Sequence, residues 1–280
     1  ALMRVLSLTY RTSYCVFHIA HQLSYCLKKR KNTIVTYQPF FEFGATRKSR
    51  WTVTSDHAAN TVPDFVNNGD LGLDPADMSR HIAYDIGAAG VAQALGELLG
   101  GPVICSNFSR LVIDPNRGSD DPTLLMKLYD GTIIPANRHA GPDELEQRMM
   151  ACYRPYHSAL DTLMKRCNDP VLLSIHSFTP QLKGRPWRPW EVGVLYAEDD
   201  RLACALIDIL HTDTDLTIGD NEPYRGYLPG DAVDTHALKD GHLNVLIELR
   251  NDLIETEADQ KAWASRLAPL LKKALSHVGS

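Results

Sequence analysis

At 280 residues, with 44% hydrophobic and 22% charged side chains, the chain is long enough to bury a substantial core and has the balance of an ordinary soluble globular protein. Its formal net charge of −5 argues against a bulk nucleic-acid-binding surface, and no apolar run approaches the roughly 18 uninterrupted residues that a membrane span needs. A local basic pocket for a small anion stays compatible with both observations.

Charge is distributed unevenly, since residues 1–50 carry nine Lys or Arg against one acid, Glu42, while the rest of the chain is acidic. Residues 1–45 therefore read as a basic N-terminal extension, poorly ordered or wrongly assigned at its start, ahead of a single folded domain over 46–280. The stretch Leu6 to Leu27 is interrupted by Arg11, His18 and His21 and lacks the clean apolar run of a secretory signal. The six cysteines form no C-x-x-C pair and lie in predicted strands and helices. They read as reduced core thiols, which suits a reducing, cytoplasmic setting.

From residue 51 strand-like and helix-like signals alternate, the pattern of an α/β layered domain. Trp51 to Ser55 is a short strand. Asp74-Pro75 reads as an N-cap with proline at the first helical position, and Met78, Ile82, Ile86 and Ala89 then recur at helical spacing as far as Gly100-Gly101, which predicts one long helix. Pro102 to Cys105 and Leu111 to Ile113 are apolar runs expected to be strands, the second leading into the polar turn Asp114-Pro115-Asn116-Arg117-Gly118. Gly141-Pro142 opens a second long helix with Met149, Tyr153, Tyr156, Leu160 and Leu163 inward and a kink at Pro155. Val171 to Ile175, Val192 to Tyr196 and Asn244 to Leu249 are continuous apolar strands of a sheet covered on both faces, with a helix over 199–211. Thr256 to His277 closes the chain as an amphipathic helix.

Three short runs sit where strands end: Ser55-Asp56-His57-Ala58-Ala59-Asn60, Ser174-Ile175-His176-Ser177-Phe178 and Ile247-Glu248-Leu249-Arg250. His176 interrupts a buried apolar strand, where an imidazole without a partner costs roughly 1–3 kcal/mol. Glu248 does the same in the last strand, and must face a cation, a proton donor or a cleft; a pair with Arg250, two positions on and on the same strand face, is its ordinary explanation. His57 alone reads more readily as a surface or hydrogen-bonded histidine than as a metal ligand. Two imidazoles and a carboxylate brought together by strand ends are the inventory of a hydrolytic zinc site.

With Asp56-His57-Ala58-Ala59-Asn60, Ala83-Tyr84-Asp85-Ile86-Gly87-Ala88, Ser109-Arg110-Leu111-Val112-Ile113-Asp114-Pro115-Asn116-Arg117, His176-Ser177-Phe178, Arg185-Pro186-Trp187, Asn221-Glu222-Pro223-Tyr224 and Ile247-Glu248-Leu249-Arg250 in order, the chain resembles the N-formylglutamate amidohydrolases, or deformylases. The resemblance implies a three-layer α/β/α fold like that of the zinc carboxypeptidases, with a mixed, mainly parallel sheet and the site at the carboxyl ends of its strands. It implies Zn2+ or another divalent metal on His57 and His176, with Asn60 in the place where the peptidases carry a carboxylate. A neutral amide is the poorer ligand, so Asp85 is the alternative third ligand or else a partner that orients a histidine. Glu248 stands where those enzymes hold their base, and Arg110 is a candidate for stabilising the oxyanion. Asn116 and Arg117 resemble a clamp for a free α-carboxylate. Arg185, in the Trp- and Pro-rich loop, and Arg250 are further candidates for contacts to substrate.

The activity implied is hydrolysis of an N-acyl amino acid such as N-formyl-L-glutamate to formate and the free amino acid, with a small molecule as the only partner expected. A zinc peptidase and a non-catalytic module binding acidic small molecules are the alternatives. The first would need an open cleft. The second would have no use for a buried Glu248 beside two histidines.

Overall fold

A computed structural model describes residues 37–212 and 216–278. Most of the N-terminal segment read as an extension lies outside them, but its last part does not: Phe40–Phe43 form a strand that pairs with the sheet.

Among the described residues nine strands follow in chain order: β1 (Phe40–Phe43), β2 (Trp51–Ser55), β3 (Val103–Ser106), β4 (Leu128–Tyr129), β5 (Thr132–Ile133), β6 (Val171–Phe178), β7 (Val192–Leu195), β8 (Ile218–Asp220) and β9 (Leu243–Arg250). Seven of them make one sheet in the order β1-β3-β2-β6-β9-β7-β8, and β4 with β5 makes a separate hairpin. Neighbours from β3 to β9 run parallel, as do β7 and β8, while β1 and β7 lie antiparallel to their inner neighbours. The sheet is mixed and mainly parallel, as expected.

Side chains alternate across a strand, so each strand serves two environments. Val53, Val103, Leu173, Ile175, Val245 and Ile247 point to one face, where they join helices Ala88–Leu99, Arg201–Leu210 and Glu257–Val278 in a single apolar core. The opposite face carries Thr52, Thr54, Ser174, His176, Asn244 and Glu248, all buried. Helices Arg154–Met164 and Ala232–His236 lie on that side. The sheet is covered on both faces, but only one cover is purely apolar.

Two expectations fail for the same reason. The helix predicted from Asp74 onward begins as read, with the Asp74 side chain accepting from Ala76 N, yet ends at Met78 and resumes only at Ala88. Between them the backbone finds tertiary partners: Asp85 N donates to His57 O, and Ala83 O accepts from Arg110 N and Ser109 Oγ. Gly87 then turns with φ 80°, where a β-carbon would meet Ile254 O at 2.2 Å. Likewise Leu111 to Ile113 is buried but forms no strand; Leu111 O accepts from Asn137 Nδ2 and Val112 O from Arg148. An apolar run reports burial, and side chains here replace the ladder that would have made it a strand.

The second long helix is present as Pro142–Arg148, one wider π-turn at Met149–Tyr153, and Arg154–Met164. The π-turn precedes Pro155, which has no N–H to contribute to the ladder. Cys105, Cys152, Cys167 and Cys204 are free, and burial pushes the first two thiols up to about 12. Among the described residues no helix is long and apolar enough to cross a membrane.

Candidate active site

The parallel strands deliver three side chains to one place. β2 ends at Ser55 and the chain turns through Asp56 to His57; β6 carries His176; β9 carries Glu248, whose Cα pairs in register with that of His176. The two imidazole centroids are 5.0 Å apart, although the residues are over a hundred positions apart in sequence. Asp85, in the non-helical segment before Gly87, completes the group: its Oδ2 lies 2.8 Å from His176 Nδ1 and 3.3 Å from His57 Nδ1. One ligand atom from each of His57, Asp85 and His176 lies within 4.8 Å of the others, and all three residues are buried.

The far side of each ring is held as well. His57 Nε2 lies 2.7 Å from Asp114 Oδ1, and His176 Nε2 lies 3.0 Å from Ser174 Oγ and 3.3 Å from Asp56 Oδ2. Asp56 in turn accepts the Tyr156 hydroxyl. A carboxylate behind Nε2 would hold the ring proton there once Nδ1 took a ligand, the arrangement that orients metal-ligating histidines.

Charge supports the same conclusion. Asp56, Asp85, Asp114 and Glu248 are all buried here, and the Arg110 guanidinium lies 3.0 Å from Asp114 Oδ2 and 3.5 Å from Asp85 Oδ1. Burial alone would raise the carboxyls, but the imidazoles hold Asp85 well below its usual range, and Arg110 and His57 do so for Asp114. Burial likewise opposes a charged His176, yet its bonds to Asp56 and Asp85 push its pKa well above the ordinary value. The site draws positive charge onto itself. A divalent cation would supply that charge in place of protons, and two imidazole nitrogens and one carboxylate are a donor set that fits such an ion.

Glu248 is the exception among these four acids. Burial pushes its carboxyl up to about 8, against the pull of His176, Arg110 and Arg188, and its Oε2 has no hydrogen-bond partner. The pair with Arg250 is not formed: Arg250 holds Asp252 at 2.8 Å and the Pro189 carbonyl at 3.2 Å, with its guanidinium over Trp187.

A cavity of about 370 Å³ opens onto these groups, with Asn116, Arg117, Tyr129, Tyr224 and Arg225 among its walls. Arg117 donates to Thr123 Oγ1 and to the Asn116 carbonyl rather than to an acid. Asn116 is buried and accepts from Ala232 N. Arg110 lines the cavity beneath Tyr129, 5.4 Å from that ring.

Three residues named from the sequence lie elsewhere. Asn60 is exposed and donates to the Met78 carbonyl, because the chain has turned outward three residues past His57; Asp85 occupies the position beside the imidazoles. Arg185 is exposed and, like Arg250, stands outside the cavity wall. From the same loop it is Arg188 that reaches residues of the cavity wall, donating to Tyr224 Oη at 3.0 Å and the Thr179 carbonyl at 3.2 Å. Sequence reasoning assigned no role to Asp56, Asp114 or Tyr156. The first two sit inside motifs already singled out, next to His57 and two positions before Asn116, and an acid so placed was the available signal.

A family model described as N-formylglutamate amidohydrolase matches residues 49–255. A solved gene product of Agrobacterium tumefaciens is 35% identical, with a TM-score of 0.82 over 89% of this chain and 99% of its own. An N-formylglutamate amidohydrolase from Ralstonia eutropha JMP134 is 21% identical, with a TM-score of 0.63 over 85% and 99%; at that identity the likeness is one of fold. No curated protein matches the chain.

Proposed function

This chain belongs to the N-formylglutamate amidohydrolase family, and from that premise we propose that it hydrolyses an N-formyl amino acid such as N-formyl-L-glutamate to formate and the free amino acid, with a divalent ion held by His57, Asp85 and His176. The observation that carries the reading is the buried triad beside Glu248, a carboxyl with an unpartnered oxygen on the adjacent strand.

When bound, a divalent ion such as Zn2+ supplies Lewis-acid polarisation of a carbonyl and brings the pKa of water from 15.7 towards ~7. Asp114 and Asp56 keep the rings of His57 and His176 in the orientation that binding requires. Glu248 takes a proton from the attacking water and returns one to the departing nitrogen, a task for a shielded carboxyl whose pKa lies near working pH. Arg110 places positive charge where the carbonyl oxygen becomes negative. Arg117, with Asn116, takes the substrate's free carboxylate through a planar set of donors, which suits that ion.

The test is formate release by purified protein from N-formyl-L-glutamate, set against other N-formyl amino acids and short peptides with a free C-terminus, together with metal analysis. Hydrolysis of the formyl substrate and about one divalent ion per chain are expected. Cleavage of peptides alone points to a peptidase; no turnover and no bound metal after addition of zinc points to a binding module.

A further inference from the structure

One helix grips both halves of the site. From the end of the π-turn Met149–Tyr153, which shifts the helical phase by an extra residue, the polar tips of two buried tyrosines and of the half-buried His157 reach the segments that carry the site. Tyr153 Oη donates to the Arg117 carbonyl at 2.8 Å, and Tyr156 Oη donates to Asp56 behind His176. His157 Nε2 donates to the Pro115 carbonyl at 3.0 Å. A carbonyl only accepts, so Nε2 carries the proton and His157 Nδ1 is the acceptor of the next bond, from His236 Nε2 at 2.8 Å. The two rings stack, 5.1 Å between centroids and 14° between planes. Donors therefore run in one direction, from His236 to His157 to the Pro115 carbonyl.

The consequence falls on the short segment 115–117. Its backbone is pinned at both ends, at the Pro115 and Arg117 carbonyls, and the Asn116 side chain between them accepts from Ala232 N at 3.4 Å. Arg117 projects from this segment into the cavity wall. We propose that Tyr153 and His157, with His236 behind it, are positioning residues that aim the Arg117 guanidinium at the substrate's carboxylate. This rests on the reading of Arg117 as the carboxylate clamp. Burial also keeps the relay in the uncharged form that the bonds require, lowering His157 and taking His236 down to about 4.

A positioning role and a merely structural one differ in substrate dependence. Tyr153→Phe, His157→Phe, His157→Gln and Arg117→Met are compared with the unaltered protein on N-formyl-L-glutamate and on the same compound with its α-carboxylate replaced by a carboxamide. Loss of one neutral hydrogen bond corresponds to about a 2- to 10-fold change. On the carboxylate substrate, KM is expected to rise by about that factor in Tyr153→Phe and His157→Phe, with kcat within about twofold and metal content unchanged. On the carboxamide the same variants match the unaltered protein, because the group that Arg117 grips is gone. His157→Gln keeps a donor near the ε position and restores most of the loss; with Tyr153→Phe it keeps the test readable should His157→Phe not fold.

Equal losses on both substrates, a fall in kcat at constant KM, or no change at all would overturn the proposal while leaving Arg117 as the clamp. A different pattern marks failure of the underlying reading: the unaltered protein ignores the carboxamide change and Arg117→Met has no effect, which removes the clamp and the proposal with it. If turnover is absent, calorimetric affinity for the two compounds replaces KM.

Discussion

Replacing Asp114 by Asn removes one charge and one acceptor from a place where every donor is already aimed. Asp114 Oδ1 lies 2.7 Å from His57 Nε2 and accepts from Asn116 N at 2.9 Å, while Oδ2 takes Arg110 at 3.0 Å. An amide has only one acceptor oxygen. Turned one way, its NH2 meets Arg110; turned the other, it meets His57 and the Asn116 N–H. Among the described residues Arg110 is left with Asp85, at 3.5 Å, as its ion-pair partner. Removing one partner of a buried pair costs about 3–5 kcal/mol, and because Asp85 remains we expect the lower end, about 3 kcal/mol. Loss of the carboxylate behind a ligating histidine lowers metal affinity about 10- to 100-fold. Urea unfolding at constant m-value reads the first quantity and chelator competition for zinc reads the second. A loss of stability below about 1 kcal/mol would refute the reasoning about the buried pair. Zinc affinity unchanged beside a real loss of stability would show that Asp114 serves Arg110 alone.

Glu248→Gln should retain metal and fold while turnover falls by about 10²–10⁴, the usual share of general acid–base catalysis, measured as formate release alongside metal content. Chelation should lower the melting temperature, and zinc restored to 100 times its Kd should return about 2.7 kcal/mol, read by calorimetry. The third expectation concerns pH: burial, followed by repulsion from His157, takes His236 from 6.5 down to about 4, so the unfolded chain binds its proton first as pH falls. His236 thus withdraws stability between pH 6.5 and 4, Asp56 and Asp161 opposing that shift and Lys165 assisting it. Asp231, which burial raises to about 6, acts in the opposite sense between pH 6 and 3.8. The difference between His236→Gln and the unaltered protein isolates the histidine: from pH 7 to 4.5 the variant should lose less stability, and an equal loss in both would contradict the burial argument.

Much of the strand content was readable because a buried strand is written locally, as Trp51 to Ser55, Val171 to Ile175 and Asn244 to Leu249 illustrate. His176 and Glu248 were conspicuous for the same reason: a polar group inside an apolar run is a local anomaly that must have a partner. Leu111 to Ile113 shows the limit, since apolar character announces burial but does not say what satisfies the backbone. The interrupted helix before Gly87 shows it again, because the groups that replace its ladder, the His57 carbonyl, the Arg110 N–H and the Ser109 hydroxyl, belong to residues far away in the chain. Asn60 and Asp85 could not be ranked by spacing, and neither could Arg185 and Arg188, whose side chains differ in direction rather than in type.

The amino-acid order by itself determined the alternation of strands and helices, the covered sheet, and which polar residues were anomalous enough to be chemical, because these follow from side-chain periodicity and the cost of burying a polar group. Only the tertiary structure decided that Asp85 joins the histidines, that Asp56 and Asp114 stand behind them, and that Tyr153 and His157 hold the segment bearing Arg117. Those are hydrogen bonds between groups distant in sequence, and their partners are set by how parallel strands and a π-turned helix are registered in space.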